Sequence, residues 1–179
     1  DIEWGKDGQD GKIYILQARP ETVHSKIQTT LSQYVLNEKS KIIITGKSIG
    51  QRIGQGATKI IDDPKNMCQI NEGDILVADM TDPDWEPVMK KAAAIITNRG
   101  GRTCHAAIIA RELGIPAIVG TNDATKILKN NKEVTVCCSE GEVGRVYEGL
   151  LKFEVVETEI SNLPNIPTKL MMTVGNPDR

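Results

Sequence analysis

The segment NRGGRTCHAAIIARELGIPAIVG, residues 98–120, narrows the possible folds of this chain more than any other stretch. Just before it, Ala94–Thr97 is a short apolar run of the kind that forms a buried strand. Residues 98–102 carry a glycine pair and read as a loop. Residues 103–113 place Ala106, Ala107, Ile109, Ala110 and Leu113 along one helical face, and Gly114 and Pro116 close that helix. Residues 117–119 form another strand. Strand, loop, helix, strand predicts an α/β domain in which a helix packs on a sheet. Composition agrees: aromatic residues are 3% of the chain, so the core is made of Ile, Val, Leu, Ala and Met, small enough to let a helix lie close to strands.

The surrounding sequence supplies more elements. Residues 12–17 alternate around Ile13 and Ile15 after a glycine turn and predict a strand. The polar stretch from His24 to Lys41 has only a weak helical spacing of Leu31, Val35 and Leu36 and reads as a linker. Strands are expected over 41–45, 57–61 and 75–78, with Gly46, Gly50, Gly54 and Gly56 forming turns or a bulged ribbon between the first two. Their spacing matches no phosphate-binding glycine loop, and the turn reading ranks above a phosphate cradle. Thr81-Asp82-Pro83-Asp84 is a helix start, with Asp82 or Thr81 as cap and Pro83 at the first helical position; the helix is expected to reach about Ala93. A short helix over 124–128, a hairpin of 133–138 with 142–147 and an edge strand over 151–156 follow. Residues 161–168 are a second linker, and 169–174 one further strand without a visible partner.

The chemistry concentrates at His105. A glycine pair and a hydroxyl residue precede it, and it stands on the first turn of a helix, where backbone N–H groups point outward without partners. Those groups and the helix dipole favour an anion, so a phosphoryl group on His105 would be stabilised there. The same positive end lowers the imidazole pKa and keeps a lone pair available near neutral pH. With Thr103 as the cap, its hydroxyl would accept the proton of Nδ1 and leave Nε2 free to attack. Gly100 and Gly101 would let phosphates approach the backbone. Arg102 is either a solvated loop residue or a phosphate clamp. On the residues alone, His105 is either a half-buried helix-start residue or a phosphoryl acceptor.

Other chemistries fit poorly. Cys104 and His105 diverge as neighbours on a helix and make a poor zinc pair, and Cys104 lacks an adjacent base, so it reads as a packing residue. Cys68, Cys104, Cys137 and Cys138 contain no CxxC pair, which suits free thiols in the cytosol. A net charge of −2 without a basic tract argues against nucleic acid as a partner. No apolar stretch is long enough to span a bilayer, and the acidic N-terminus is unlike a signal peptide, so the expected location is cytoplasmic, without a membrane partner. The abrupt ends suggest a piece of a longer protein.

The segment GGRTCHAAIIARELGIPAIVG resembles the phosphohistidine signature of the family that contains phosphoenolpyruvate synthase, pyruvate phosphate dikinase and enzyme I of the sugar phosphotransferase system. MTDPDWEPVMKKAAAIITNRG before it, and DIEW with QARPETV at the start, are similar to the synthase branch of that family, so the resemblance covers essentially the whole chain. It implies a swivelling β/β/α phosphohistidine domain, a layered sheet with packed helices, that carries a phosphoryl group from an ATP-grasp nucleotide site to a pyruvate-binding barrel. The implied divisions are 1–24, the end of the ATP-grasp domain; 25–38, a linker; 39–157, the phosphohistidine domain; 158–168, a linker; and 169–179, the start of the barrel.

By the same resemblance, His105 takes the β-phosphoryl group of ATP and passes it to pyruvate, with Mg²⁺ screening the phosphates and water taking the terminal phosphate. Asp1, Glu3, Gln17 and Arg19 match nucleotide-site positions, Glu3 and Gln17 on the metal side and Arg19 toward phosphate. Thr103 matches the target of a bifunctional regulatory kinase and phosphorylase. The partners implied are the chain's own ATP-grasp and pyruvate-binding domains, ATP and pyruvate. The rival readings are the carrier domain of a related dikinase or antibiotic phosphotransferase, and a non-catalytic module of the same fold.

Overall fold

The computed structural model describes residues 2–18 and 30–159. Strands β1 (Ile2–Lys6) and β2 (Ile13–Ala18) form an antiparallel hairpin. Then come β3 (Thr30–Leu36), β4 (Ile42–Ile49), β5 (Ile53–Ile60), a 3-10 turn (Pro64–Gln69) and β6 (Ile75–Ala78). A second 3-10 turn (Pro83–Trp85) runs into helix α1 (Glu86–Met89), followed by β7 (Ala94–Thr97), α2 (His105–Leu113) and β8 (Ala117–Val119). The rest is α3 (Ala124–Ile127), β9 (Glu133–Cys137), β10 (Val143–Glu148) and β11 (Phe153–Glu159).

Seven strands close into a barrel in the order β10, β4, β8, β7, β6, β5, β9. Strands β5 to β8 run parallel, with β6 and β7 in the middle, and the remaining pairs are antiparallel. Every residue of β6, β7 and β8 is buried, because both faces are covered. Period-two alternation divides them. Ile75, Val77, Ala94, Ile96 and Ile118 point into the barrel with Val134, Val136 and Val146. Leu76, Ala78, Ile95, Ala117 and Val119 point outward against Val88 and Met89 of α1 and Ala106, Ala107, Ile109 and Ala110 of α2. The small alanines of α2 allow the helix to sit close to this wall.

The domain is therefore mixed α/β with strands dominating, and the layered sheet with packed helices that the resemblance implied is here a closed barrel covered by helices. The hairpin explains the closure: β9 pairs with β5 and β10 with β4, so the two strands that would be sheet edges are covered by one hairpin. Strands β4 and β5 also run through Gly46, Gly54 and Gly56, three of the four glycines expected to form turns or a bulged ribbon. At Gly46 an added Cβ would lie 2.7 Å from Ile118 Cγ2, and at Gly54 and Gly56 it would collide with the carbonyl oxygens of Ala93 and Gly73. These glycines serve close approach of backbones within the barrel. Only Gly50, at φ +78°, turns the chain.

Three further expectations change. Residues 30–36 are not a bare linker with helical spacing: they form β3, paired with β11 as a separate two-stranded ribbon. Its inward residues are Tyr34 and Leu36, packed with Phe153 against Ile53, Cys137, Tyr147 and Leu151. Leu31 is exposed, and the ring of Tyr34 stacks on Phe153 at 6.0 Å. The edge strand expected over 151–156 accordingly pairs with β3 and not with the barrel. The helix after Pro83 stops at Met89, because the Ala93 N–H is already held by the Asp74 carbonyl at 2.9 Å and the chain there must be extended. Asp1, Arg19, His24, the second linker from 161 and the strand over 169–174 lie outside the described residues.

Replacing Gly54 with Ala should destabilise the domain by roughly 1–3 kcal/mol or more, since the new Cβ meets backbone that cannot move aside. Gly101 faces open space, and Gly101→Ala should change stability by no more than about 0.5 kcal/mol. Denaturant midpoints of the two variants check the contrast.

Candidate functional site

The site lies where the C-terminal ends of β6 and β7 meet the first turn of α2. The loop between β7 and α2 is held by its own residues. Asn98, buried, donates from Nδ2 to Asp79 at 3.0 Å and to Thr125 Oγ1 at 2.7 Å, and its Oδ1 accepts the Thr125 N–H at 3.1 Å. The Thr97 hydroxyl donates to the Arg99 carbonyl at 2.7 Å, and Thr121 Oγ1 donates to the Thr97 carbonyl at 2.9 Å. Gly100 sits at φ +119°, a conformation that side chains resist, and a Cβ there would lie 2.7 Å from Cys104 Sγ. Cys104 itself packs on the cluster beneath α2, in keeping with its expected packing role. None of this involves bound ligand; it fixes where the helix begins.

Helix α2 starts at His105 with Cys104 as its cap, and no side chain bonds the first turn. Thr103 is thus one residue outside the cap and exposed, so the cap role expected of it is not seen. The hydroxyl beside the imidazole belongs to Thr81, whose Oγ1 is 3.3 Å from His105 Nδ1. Thr81 was legible only as one of two possible caps. Asp82 takes that role, accepting the Asp84 N–H at 3.0 Å, which leaves the Thr81 hydroxyl to face α2. The backbone N–H groups of His105 and Ala106 are taken by no described residue.

His105 is half-buried, and burial is the main cause holding its pKa below the ordinary 6.5. Asp82, Glu86 and Glu112 oppose this, each favouring the imidazolium. The expected direction is met, with desolvation in first place as the cause. Arg102 is exposed and lies 3.3 Å from Glu142 on the β9–β10 turn, while its carbonyl accepts from Arg111 at 2.8 Å. Glu3 and Gln17 occupy facing positions in the β1–β2 ladder. His105, Gly100, Gly101, Arg102 and Thr103 are brought together in one loop and helix start; the hairpin with Glu3 and Gln17 is a separate sheet.

Comparison with known proteins gives two family matches. Residues 70–141 match the family described as PEP-utilising enzyme, mobile domain, and residues 1–39 match pyruvate phosphate dikinase, AMP/ATP-binding domain. The stretch that holds β6 to β9 and the His105 helix thus matches the mobile domain of the PEP-utilising enzymes. Within that class its likeness is to phosphoenolpyruvate synthases. It is 59% identical over 180 residues to the phosphoenolpyruvate synthase of Pseudomonas aeruginosa, covering 100% of this chain and 23% of that protein. The Escherichia coli phosphoenolpyruvate synthase is 59% identical, with 100% and 22% covered. A probable phosphoenolpyruvate synthase of Archaeoglobus fulgidus is 45% identical, with 99% and 23% covered. The chain thus spans less than a quarter of the length of these relatives.

The His105 ring should titrate with a midpoint below 6.5, measured from its Hε1 and Hδ2 shifts against pH. In Asp82→Asn the midpoint should fall further, because a carboxylate that stabilises the charged ring is removed while the capping oxygen is kept. A midpoint above 6.5 in the parent protein would contradict the assigned balance.

Proposed function

We propose that this chain is the phosphoryl carrier segment of an enzyme that converts ATP, pyruvate and water into phosphoenolpyruvate, AMP and phosphate. The single observation that carries the reading is His105 at the open N-terminus of α2, with Thr81 Oγ1 at 3.3 Å from Nδ1. With the hydroxyl accepting the Nδ1 proton, the lone pair is on Nε2, the nitrogen that attacks phosphorus. Burial keeps the ring neutral near pH 7, which is the nucleophilic state. The β-phosphoryl group of ATP passes to Nε2 as the bond to the α-phosphate oxygen breaks and AMP leaves; the terminal phosphate departs to water. The free N–H groups of His105 and Ala106 and the dipole of a nine-residue helix meet the new negative charge. Attack by the oxygen of enolpyruvate on the same phosphorus then returns a neutral ring.

The mobile barrel with one reactive histidine suits a swivelling carrier, because nucleotide and pyruvate each need dry surroundings that a single fixed histidine cannot share. In this reading residues 1–24 are the end of the nucleotide-binding domain, 25–38 and 158–168 are connecting stretches of which 30–36 and 158–159 lie in the β3–β11 ribbon, 39–157 is the carrier, and 169–179 begins the pyruvate-binding barrel. Mg²⁺ supplies charge screening on the phosphates. Glu3 and Gln17 hold facing positions in the β1–β2 ladder, and in this reading they serve the Mg²⁺ side of the nucleotide site, with Asp1 and Arg19 as its further residues. Gly100 and Gly101 leave the loop backbone open to the phosphoryl group, and Arg102 exchanges Glu142 for it. Thr103, exposed beside the helix start, is the site at which a regulatory kinase and phosphorylase would act. A cytoplasmic location follows from the metabolites; among the described residues no helix is long and apolar enough to cross a membrane.

Labelling with β-³²P-ATP in the full-length protein tests this. The label should be lost in acid, retained in base and absent from His105→Ala; acid-stable label would overturn the assignment. Thr81→Val should slow single-turnover labelling by roughly three- to tenfold, the worth of one hydrogen bond that orients the ring, and Thr81→Ser should restore it. A rate unchanged in Thr81→Val would remove Thr81 from the account. Phosphate on Thr103 would add about −1.5 to −2 charge beside the same N–H groups, and labelling of His105 should be nearly abolished in that form.

A further inference from the structure

The hydroxyl of Thr81 and the ring of His105 meet from two different loops. Thr81 is buried on the loop after β6, and His105 follows the loop after β7. Their contact, 3.3 Å from Oγ1 to Nδ1, is already long for a hydrogen bond. A slip of one loop against the other by about 0.5 Å would carry it out of reach. The relative position of the two loops therefore needs a fixed reference outside the contact itself.

That reference lies where the parallel ladder ends. Ala78 faces Thr97 as the last pair of β6 and β7. Past it the Asn98 N–H donates to the Ala78 carbonyl at 3.1 Å and the Arg99 N–H to the Asp79 carbonyl at 2.9 Å, so the two chains stay bonded beyond the strands. The Asp79 carboxylate adds two side-chain links to the facing loop: Oδ1 accepts from Asn98 Nδ2 at 3.0 Å, and Oδ2 lies 3.0 Å from Arg99 Nε. The pair with Arg99 is solvent-exposed and contributes little by itself. Asn98 differs: it is 6% exposed, and its amide also donates to Thr125 Oγ1 at 2.7 Å and accepts the Thr125 N–H at 3.1 Å. An amide committed on three sides cannot follow a carboxylate that moves, so Asn98 holds Asp79 in place. Only Met80, itself 60% exposed, stands between Asp79 and Thr81.

We propose that Asn98 and Asp79 are positioning residues for His105: their clamp keeps the Thr81 hydroxyl at Nδ1 and so sets which ring nitrogen carries the proton. The inference rests on the reading in which Nε2 attacks phosphorus, and adds what holds the group that selects Nε2. Asp79 acts through the loop and not through its charge, since the carboxylates that act on the ring are Asp82, Glu86 and Glu112. With the clamp intact the neutral ring is protonated at Nδ1 and presents Nε2. With the clamp broken Thr81 drifts, both tautomers are populated, and part of the protein has its lone pair on the wrong nitrogen.

The test reads the tautomer from the imidazole ¹⁵N shifts of His105 in the neutral ring, with single-turnover labelling by β-³²P-ATP in the full-length protein beside it. Asn98→Asp removes the amide donor and sets two carboxylates against each other; it should move the ring toward the mixed tautomer of Thr81→Val and slow labelling by roughly three- to tenfold. Exchanging the pair, Asp79→Asn/Asn98→Asp, returns a donor to the clamp and should restore the parent tautomer, with labelling within about twofold of the parent rate. Asp79→Ala, at an exposed residue, should repeat the Asn98→Asp shift, and it decides the matter should Asn98→Asp lose the Ile96 and Ile118 methyl signals of the folded barrel. In a Thr81→Val background Asn98→Asp should move the tautomer no further, which a general loosening of the fold would not reproduce. The parent tautomer in folded Asn98→Asp or in Asp79→Ala, no recovery in the exchanged pair, or an added shift in the Thr81→Val background overturns the clamp. Absence of label on His105 in the parent full-length protein overturns the carrier reading and leaves the tautomer result standing, so the two failures are separate.

Discussion

Burial of both faces of β6, β7 and β8 is the constraint on which the rest depends. Inward, Ile75, Val77, Ile96 and Ile118 fill the barrel; outward, Leu76, Ile95 and Val119 need a cover, and α1 and α2 provide it. A parallel pair such as β7 and β8 must be joined by a crossover, and α2 is that crossover. Its N-terminus is therefore bound to emerge at the C-terminal ends of the strands, and the residue at that point is His105. The Asn98 bonds to Asp79 and Thr125 then fix the loop that delivers the chain to it. The reactive position is a consequence of how the sheet is covered.

The site combines features that would conflict in an enclosed pocket. Burial lowers the pKa of the ring, while Asp82, Glu86 and Glu112 pull the other way, Glu86 itself being paired with Lys90 at 2.8 Å. Under the proposed carrier function this balance leaves the ring nucleophilic near pH 7. Stabilising contacts can then differ between donor and acceptor surroundings, which is what transfer in two steps demands.

The central unit was legible in the sequence because local signals agreed. The strand over 94–97, the helix ending at Gly114 and the strand over 117–119 stand where composition and punctuation put them, as does the 133–147 hairpin. What escaped was set by distant contacts. Barrel closure depends on β9 reaching β5 and β10 reaching β4, which no local pattern announces. Gly46, Gly54 and Gly56 look like turn residues, yet they are needed where backbones pass too close for a Cβ. Residues 30–36 looked unstructured because their strand pairs with β11, more than a hundred residues later. At the site, His105 and its glycines were evident, but the partner of Nδ1 was not. Thr103 and Thr81 are both hydroxyl residues near helix starts, and only the packing of the 81–86 loop against α2 decides between them.

The central claim is that His105 receives a phosphoryl group at Nε2 while Thr81 holds Nδ1. Phosphorus–nitrogen and phosphorus–proton correlation NMR on the phosphorylated, ¹⁵N-labelled protein reads this directly. The account predicts one phosphohistidine, with phosphorus coupled to Nε2 of His105 and Nδ1 protonated. Phosphorus coupled to Nδ1, or carried by any other residue, would contradict it.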